Sequence, residues 1–355
     1  MNKTTKQFLA DLINSVSPSG YEGPAAKVWK ARAEAFAAKI WTDTHGNSHA
    51  IVNPGGSPRV MLAGHCDEIG FIISHIDDNG FLWIMPVGGW DPQIAQGQRV
   101  QIVAKKGIVR GVIGKMAIHM QTPEQRKQVT EVKDLWVDIG AKDKKDAESM
   151  VEIGDPLVVD HGFAEIANGI AVGRAFDDRS GAFVVLEAAK QLSALNPKAE
   201  IHAVATAQEE IGLRGATTAA YGIDPDIAIA VDVTFATDHP NMAEAMKRKN
   251  LIELGKGPVL TRGANINSKL FDLLVKTAKA EKIPVQLSAE PRGTGTDANA
   301  IQINRDGVAT ALVGIPLRYM HSPCELISLA DLEACVKLIA KTVEKITPKT
   351  NFVPF

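Results

Sequence analysis

Residues 201–215 read IHAVATAQEEIGLRG: an apolar run that stops at two adjacent glutamates, Glu209 and Glu210, before a helical pattern opens after Gly212. A short apolar run bounded by turn residues reads as a buried strand. Adjacent carboxylates repel, so a glutamate pair at the end of such a strand calls for a positive partner. Working outward, similar runs recur at RVMLAG (59–64), DIAIAVDV (226–233) and GVATALVG (307–314). Helical patterns separate them at SGAFVVLEAAKQLSAL (180–195), SKLFDLLVKTAKAEK (268–282) and LADLEACVKLIAKTVEKI (329–346). Two further helices, at roughly 4–16 and 22–38, flank the turn SPSGYEGP. Strands alternating with helices predict an α/β fold, a mostly parallel sheet covered by helices on both faces.

Between Phe71 and Phe163 the helical periodicity fades. FIISHI, FLWIMPV, QRVQIVA, GIVRGVIG and LWVDIG are short runs punctuated by Gly-Gly and Asp-Asn-Gly, which predicts a small all-β module with tight turns. Because the α/β pattern resumes after it, the module is expected as an insertion: 71–163 within a discontinuous α/β domain of 1–70 and 164–355.

The composition narrows the function classes. A chain of 355 residues, 45% hydrophobic and 23% charged, is an ordinary globular protein with room for a large domain and a smaller one. A net charge of −2 argues against nucleic-acid or anionic-membrane partners, which need clustered Lys and Arg. Cys66, Cys324 and Cys335 form no disulfide framework, and no apolar run approaches the ~20 residues of a membrane span. The cytoplasm is the expected compartment.

In an open parallel sheet, function collects beyond the carboxyl ends of the strands. Here RVMLAG runs into His65, IHAVATA into Glu209 and Glu210, DIAIAV into Asp232, and GVATALVG is followed after a loop by His321. Phe176-Asp-Asp-Arg179 precedes a helix. Singly, each has an ordinary reading: Asp177 and Asp178 as helix caps, a histidine on the surface, loop carboxylates in water. Gathered on one rim, two histidines with three or more carboxylates match the ligand chemistry of zinc or a similar divalent metal. His65 and Asp67, two apart, share a face in an extended chain, so Asp67 can accept the spare ring N–H of a metal-bound His65. Adjacent glutamates diverge, so one can bind metal while the other takes a proton from a water that the metal acidifies.

GHCDEIGF (64–71), AFDDRSG (175–181), TAQEEIGLRGA (206–216), AVDVT (230–234) and HSPCE (321–325), with the early PSGYEGP (18–24), resemble the tetrahedral (TET) aminopeptidases. That metallopeptidase family includes glutamyl aminopeptidases and members labelled endoglucanases. The resemblance implies a dinuclear-zinc exopeptidase-like fold and removal of the first residue of an unblocked small peptide. It implies two divalent ions per subunit, zinc first, with cobalt or manganese also suited to these donors. Asp177 would bridge them, His65 and Asp232 completing one site and Glu210 and His321 the other, with Glu209 as general base. It further implies a cis peptide bond at Asp177–Asp178, and homo-oligomers in which dimers build a tetrahedral dodecamer through the inserted β domain. Asp297, in the glycine-rich RGTGTDAN (292–299), is left between a residue set against substrate and a plain turn, and His119, inside the insertion, between a site residue and a surface histidine.

Three rivals stand beside this reading. A glycosidase would use two carboxylates but leaves His65, Asp232 and His321 without a task, and aromatic residues, at 5%, are sparse for a sugar cleft. A related dinuclear deacylase or carboxypeptidase differs only in its substrate pocket. A catalytically silent assembly protein would not need every ligand type and the base candidate together.

Overall fold

The computed structural model describes residues 1–242, 244, 248 and 251–355. Its strands in chain order are β1 (Lys39–Thr42), β2 (Ser48–Val52), β3 (Arg59–His65), β4 (Gly70–Ile76), β5 (Leu82–Val87), β6 (Arg99–Ala104), β7 (Gly107–Gly114), β8 (Trp136–Asp138) and β9 (Pro156–Val159). They continue with β10 (Ala164–Glu165), β11 (Ile170–Gly173), β12 (Glu200–Thr206), β13 (Ile227–Phe235), β14 (Val259–Gly263), β15 (Gln286–Glu290), β16 (Ala309–Arg318) and β17 (Glu325–Ser328).

The large sheet runs β1-β2-β12-β3-β13-β16-β17-β11-β10, with β14 against β16 and β15 beyond it. Its centre is the parallel sheet that the sequence predicts: β12, β13 and β16 are the four runs with β3, aligned so that Thr206 lies beside His65 and Asp232 beside Gly314. Antiparallel strands flank this centre on both sides. These flanking strands are short and carry no long apolar run, so periodicity alone does not reveal them.

Both faces are covered, and β3 records it. Val60 and Leu62 join the core under the helices Phe176–Leu195 and Leu329–Val343, while Met61 and Ala63 join the opposite core under Arg214–Ile223. That is the period of two expected when a strand is buried on both sides. The helix Phe176–Leu195 is buried from Phe176 to Ala189, all round rather than along one stripe, because it lies between the sheet and a further helix layer. One contact sets its depth. A Cβ on Gly64 would fall 2.5 Å from the backbone carbon of Gly181, so strand and helix touch backbone to backbone there. This brings the helix start against the end of β3.

Strands β4 to β9 close into a separate antiparallel barrel in the order β4-β5-β8-β7-β6-β9, filled by Phe71, Ile73, Leu82, Val100, Ile102 and Leu157 among others. Asp-Asn-Gly forms the β4–β5 turn: Asp77 accepts from the N–H groups of Asn79 and Phe81, and Gly80 takes φ +86. The closing strand β9, PLVV, is too short and uniform to stand out in the sequence. Among the described residues no helix is long and apolar enough to cross a membrane.

Candidate active site

β3 ends at His65, and the close packing at Gly64 seats Asp178 beneath it. Asp178 Oδ2 accepts the His65 backbone N–H at 3.2 Å and Oδ1 accepts that of Gly181 at 3.0 Å. The Asp177–Asp178 bond is cis, and Asp177 emerges between the two histidines. His65 Nε2 lies 3.2 Å from Asp177 Oδ1, and His321 Nε2 lies 3.2 Å from Asp177 Oδ2. His321 Nε2 is also 3.4 Å from Glu210 Oε1, whereas Glu209 Oε2 is 3.7 Å from His65 Nε2. The adjacent glutamates therefore face different histidines. β13 continues three residues past Asp232, to Phe235, so Asp232 reaches the rim from within a strand.

Among the described residues, two sets of donor atoms converge closely enough for a shared ion: His65, Asp177 and Glu210, and His65, Asp178 and Asp232. His65, Asp177, Glu209, Glu210, Asp232 and His321 border a cavity of about 580 Å³ that also takes in Thr261, Ser288, Glu290 and Thr296.

The electrostatics show why cations suit this place. Burial lifts Asp232 well above the ordinary carboxylate range, and lifts Asp178 likewise, with Asp232 adding repulsion. Glu209 is pushed up to about 9, by burial first and then by Asp232 and Asp297. Burial would lower His65, but Glu209, Asp177 and Asp67 outweigh it and hold the imidazole well above its usual value. His321 rises to about 11 through hydrogen bonds to Asp177 and Glu210. Asp177 goes the other way: bonds from His321 and His65 overcome its burial. Buried carboxylates thus outnumber the imidazoles that face them. Imidazole nitrogens with carboxylate oxygens are the donors that zinc and its neighbours prefer, and the surplus negative charge fits more than one divalent ion.

Asp67 has a larger task than the sequence spacing alone suggests. Its Oδ1 stands 3.4 Å from His65 Nδ1, and the carboxylate also accepts the N–H groups of Glu209 at 3.1 Å and Glu210 at 3.2 Å. The Ser19 hydroxyl donates to it at 2.6 Å, and Glu22 accepts from the Gln208 N–H at 3.1 Å. PSGYEGP therefore acts as a buttress under the glutamate pair.

Sequence reasoning missed Glu325. It is buried and accepts the His321 N–H at 2.9 Å and the Asp177 N–H at 3.1 Å, tying the backbones of two site residues together. The signal was its place four residues after His321 in HSPCE. Asp297 is buried beside the site and accepts from the Thr206 hydroxyl at 2.5 Å; burial raises it to about 6. His119 is exposed, in a short turn between β7 and β8, and does not line the cavity at the site.

The pattern of the M42 glutamyl aminopeptidase family matches residues 46–338. A lysyl aminopeptidase of Pyrococcus furiosus is 38% identical over 98% of this chain and 99% of its own. Among solved structures, a TET aminopeptidase from a marine-sediment Thaumarchaeota archaeon superposes with TM-score 0.92 at 36% identity, covering 97% of each chain. A Pyrococcus horikoshii TET peptidase, described as able to assemble into a tetrahedron or a large octahedral shell, gives TM-score 0.85 at 31% identity, over 96% of this chain and all of the other.

Proposed function

The chain belongs to the M42 glutamyl aminopeptidase family, and from that premise we propose how its residues carry out the reaction. It is a metal-dependent aminopeptidase, a hydrolase that acts on peptide bonds. His65 and Asp232 would hold one divalent ion and Glu210 and His321 the other, with Asp177 shared between them. Zinc is the first choice, and cobalt or manganese suit the same donors. When bound, the ions polarise the scissile carbonyl and acidify the attacking water.

This chain's own residues do the rest. Glu209 takes the proton of the attacking water and returns it to the departing amine, which needs a carboxylate with a pKa above the ordinary range. Asp67 fixes the ring of His65 and the backbone of both glutamates, so base and ligand keep their separation. Glu325 holds Asp177 and His321 at a constant spacing. The observation that carries this reading is the division of the glutamate pair, Glu209 toward His65 and Glu210 toward His321.

Residues 71–163 are assigned to assembly and the remainder to catalysis. Exposed Ile108, Val112, Ile118, Met120 and Val129 on the barrel support it as the contact between copies, with dimers combining into a tetrahedral dodecamer. Small peptides of the cytoplasm would be the substrates. The deciding experiment compares free-amine and N-acetylated peptides on metal-stripped protein with zinc, cobalt or manganese restored. Cleavage confined to free amines, and only with metal, is expected; equal cleavage of acetylated peptides would overturn the aminopeptidase assignment.

A further inference from the structure

The cavity extends well beyond the His65–Asp177 cluster. Its floor is one face of four neighbouring strands, with Asp232 on β13, Gly314 on β16, Thr261 on β14, and Ser288 and Glu290 on β15. The registers fix their order: Asp232 beside Gly314, Gly314 beside Val259, and Thr261 beside Ser288. At ~4.8 Å per strand, three steps carry the floor about 14 Å from the cluster to β15. Ser288 and Glu290, two apart, are half-buried on one face of β15, while Leu287 and Ala289, which alternate with them, are exposed.

Glu290 ends this floor as a carboxylate without a hydrogen bond or ion pair among the described residues. Among the described residues, the cavity lining holds no lysine or arginine. Arg262, on the paired strand, lies over the Phe271 ring at 5.9 Å, and Arg318 pairs with Asp238 at 2.7 Å, while Arg292, two residues along the chain from Glu290, is exposed and does not line the cavity. Around Glu290 the wall is hydroxylic, with Thr261 Oγ1 and Ser288 Oγ 3.0 Å apart. A half-buried acid with no protein partner, backed by hydroxyls and reached across a long floor, is suited to the tip of a long cationic side chain.

We infer that Glu290 determines specificity, selecting peptides whose N-terminal residue is lysine or arginine. This rests on the aminopeptidase reading above. The first peptide bond sits at the His65–Asp177 cluster, and the side chain of the first residue lies along the floor toward β15. Its ammonium or guanidinium meets Glu290, whereas an acidic side chain is repelled by the same carboxylate and a short neutral one does not reach it.

The test uses the full-length, metal-loaded enzyme with lysyl, arginyl, leucyl and glutamyl chromogenic amides. The intact enzyme should favour lysyl and arginyl over glutamyl substrates by at least a hundredfold in kcat/KM. In Glu290→Gln the lysyl-to-leucyl ratio should fall at least tenfold, and in Glu290→Lys the glutamyl-to-lysyl ratio should rise above that of the intact enzyme. A lysyl-to-leucyl ratio unchanged within twofold in Glu290→Gln, or an intact enzyme that prefers glutamyl substrates, overturns the inference while leaving aminopeptidase activity established. Failure to cleave any free-amine amide overturns the aminopeptidase reading itself, and this inference with it.

Discussion

Glu68 and Glu209 are both buried carboxylates near the end of β3, and their surroundings are opposites. Glu68 lies 2.9 Å from Arg174 and 2.8 Å from Arg179, and accepts the Ser17 N–H as well. Arg179 in turn donates to the carbonyls of Cys66, Ser15 and Ser17, so that network closes on protein groups. Glu209 faces one imidazole at 3.7 Å with Asp232, Asp297 and Glu210 repelling it. One cluster fastens the N-terminal segment to the helix Phe176–Leu195. The other keeps a charge unmet, and such a place is where ligands and chemistry belong.

The sharpest way to break this contrast is through Glu209. Glu209→Gln keeps shape and removes the proposed base, so kcat should fall roughly 10²- to 10⁴-fold with metal content unchanged by elemental analysis. Near-normal turnover with metal still bound would move the base elsewhere. The closed cluster should respond in stability instead. Arg179→Met leaves Glu68 short of a cation and several buried carbonyls short of a donor, for a loss of about 3–5 kcal/mol in denaturant unfolding. A shift below 1 kcal/mol would mean that the network is not a fastening.

A smaller effect is expected where the two clusters meet. Asp67→Asn keeps acceptor capacity toward one loop N–H but weakens the hold on His65, and metal affinity should drop roughly 10- to 100-fold in competition with a chelator. The last contrast is in pH. In metal-stripped protein Glu209 titrates near 9 instead of its ordinary 4.5, and His321 near 11 instead of 6.5, so the folded state holds protons that the unfolded chain releases. Stability carried by a raised group is present below its unfolded value and lost as pH rises toward its folded one. Asp177, held low, has the opposite sign, but its contribution changes only in acid. The stripped protein should therefore melt lower at pH 8.5 than at pH 6, and saturating zinc should shrink that difference. An equal or larger difference with zinc would argue against ions at this place.

Much of this was legible in the chain. β3, β12, β13 and β16 announce themselves because strands buried on both faces must be apolar throughout, and the ionisable residues at their ends stand out against that background. The barrel declared itself through its turns. Glu325 did not, because its role is to accept two backbone N–H groups, and nothing in a side chain's identity reveals which amides it will meet. Asp67 showed its relation to His65 through a spacing of two, but its grip on the glutamate loop comes from a fold contact across 142 residues. Glu290 was equally silent, since β15 is an edge strand of mixed composition whose inward face is set only by pairing with β14.

The chain order of the proposed site residues also bears on when the site can form. His65 and Asp67 come from the first quarter of the chain, while His321 and Glu325 follow the last long strand. No continuous stretch holds both halves of the proposed centre, and bringing segments so far apart in the chain together costs loop-closure entropy that only the folded sheet offsets. A nascent chain that still lacks His321 and Glu325 therefore cannot assemble the proposed centre. For a protein that cuts peptides, this is a safeguard written in topology: competence arrives only when there is no longer an unfolded chain of its own to attack.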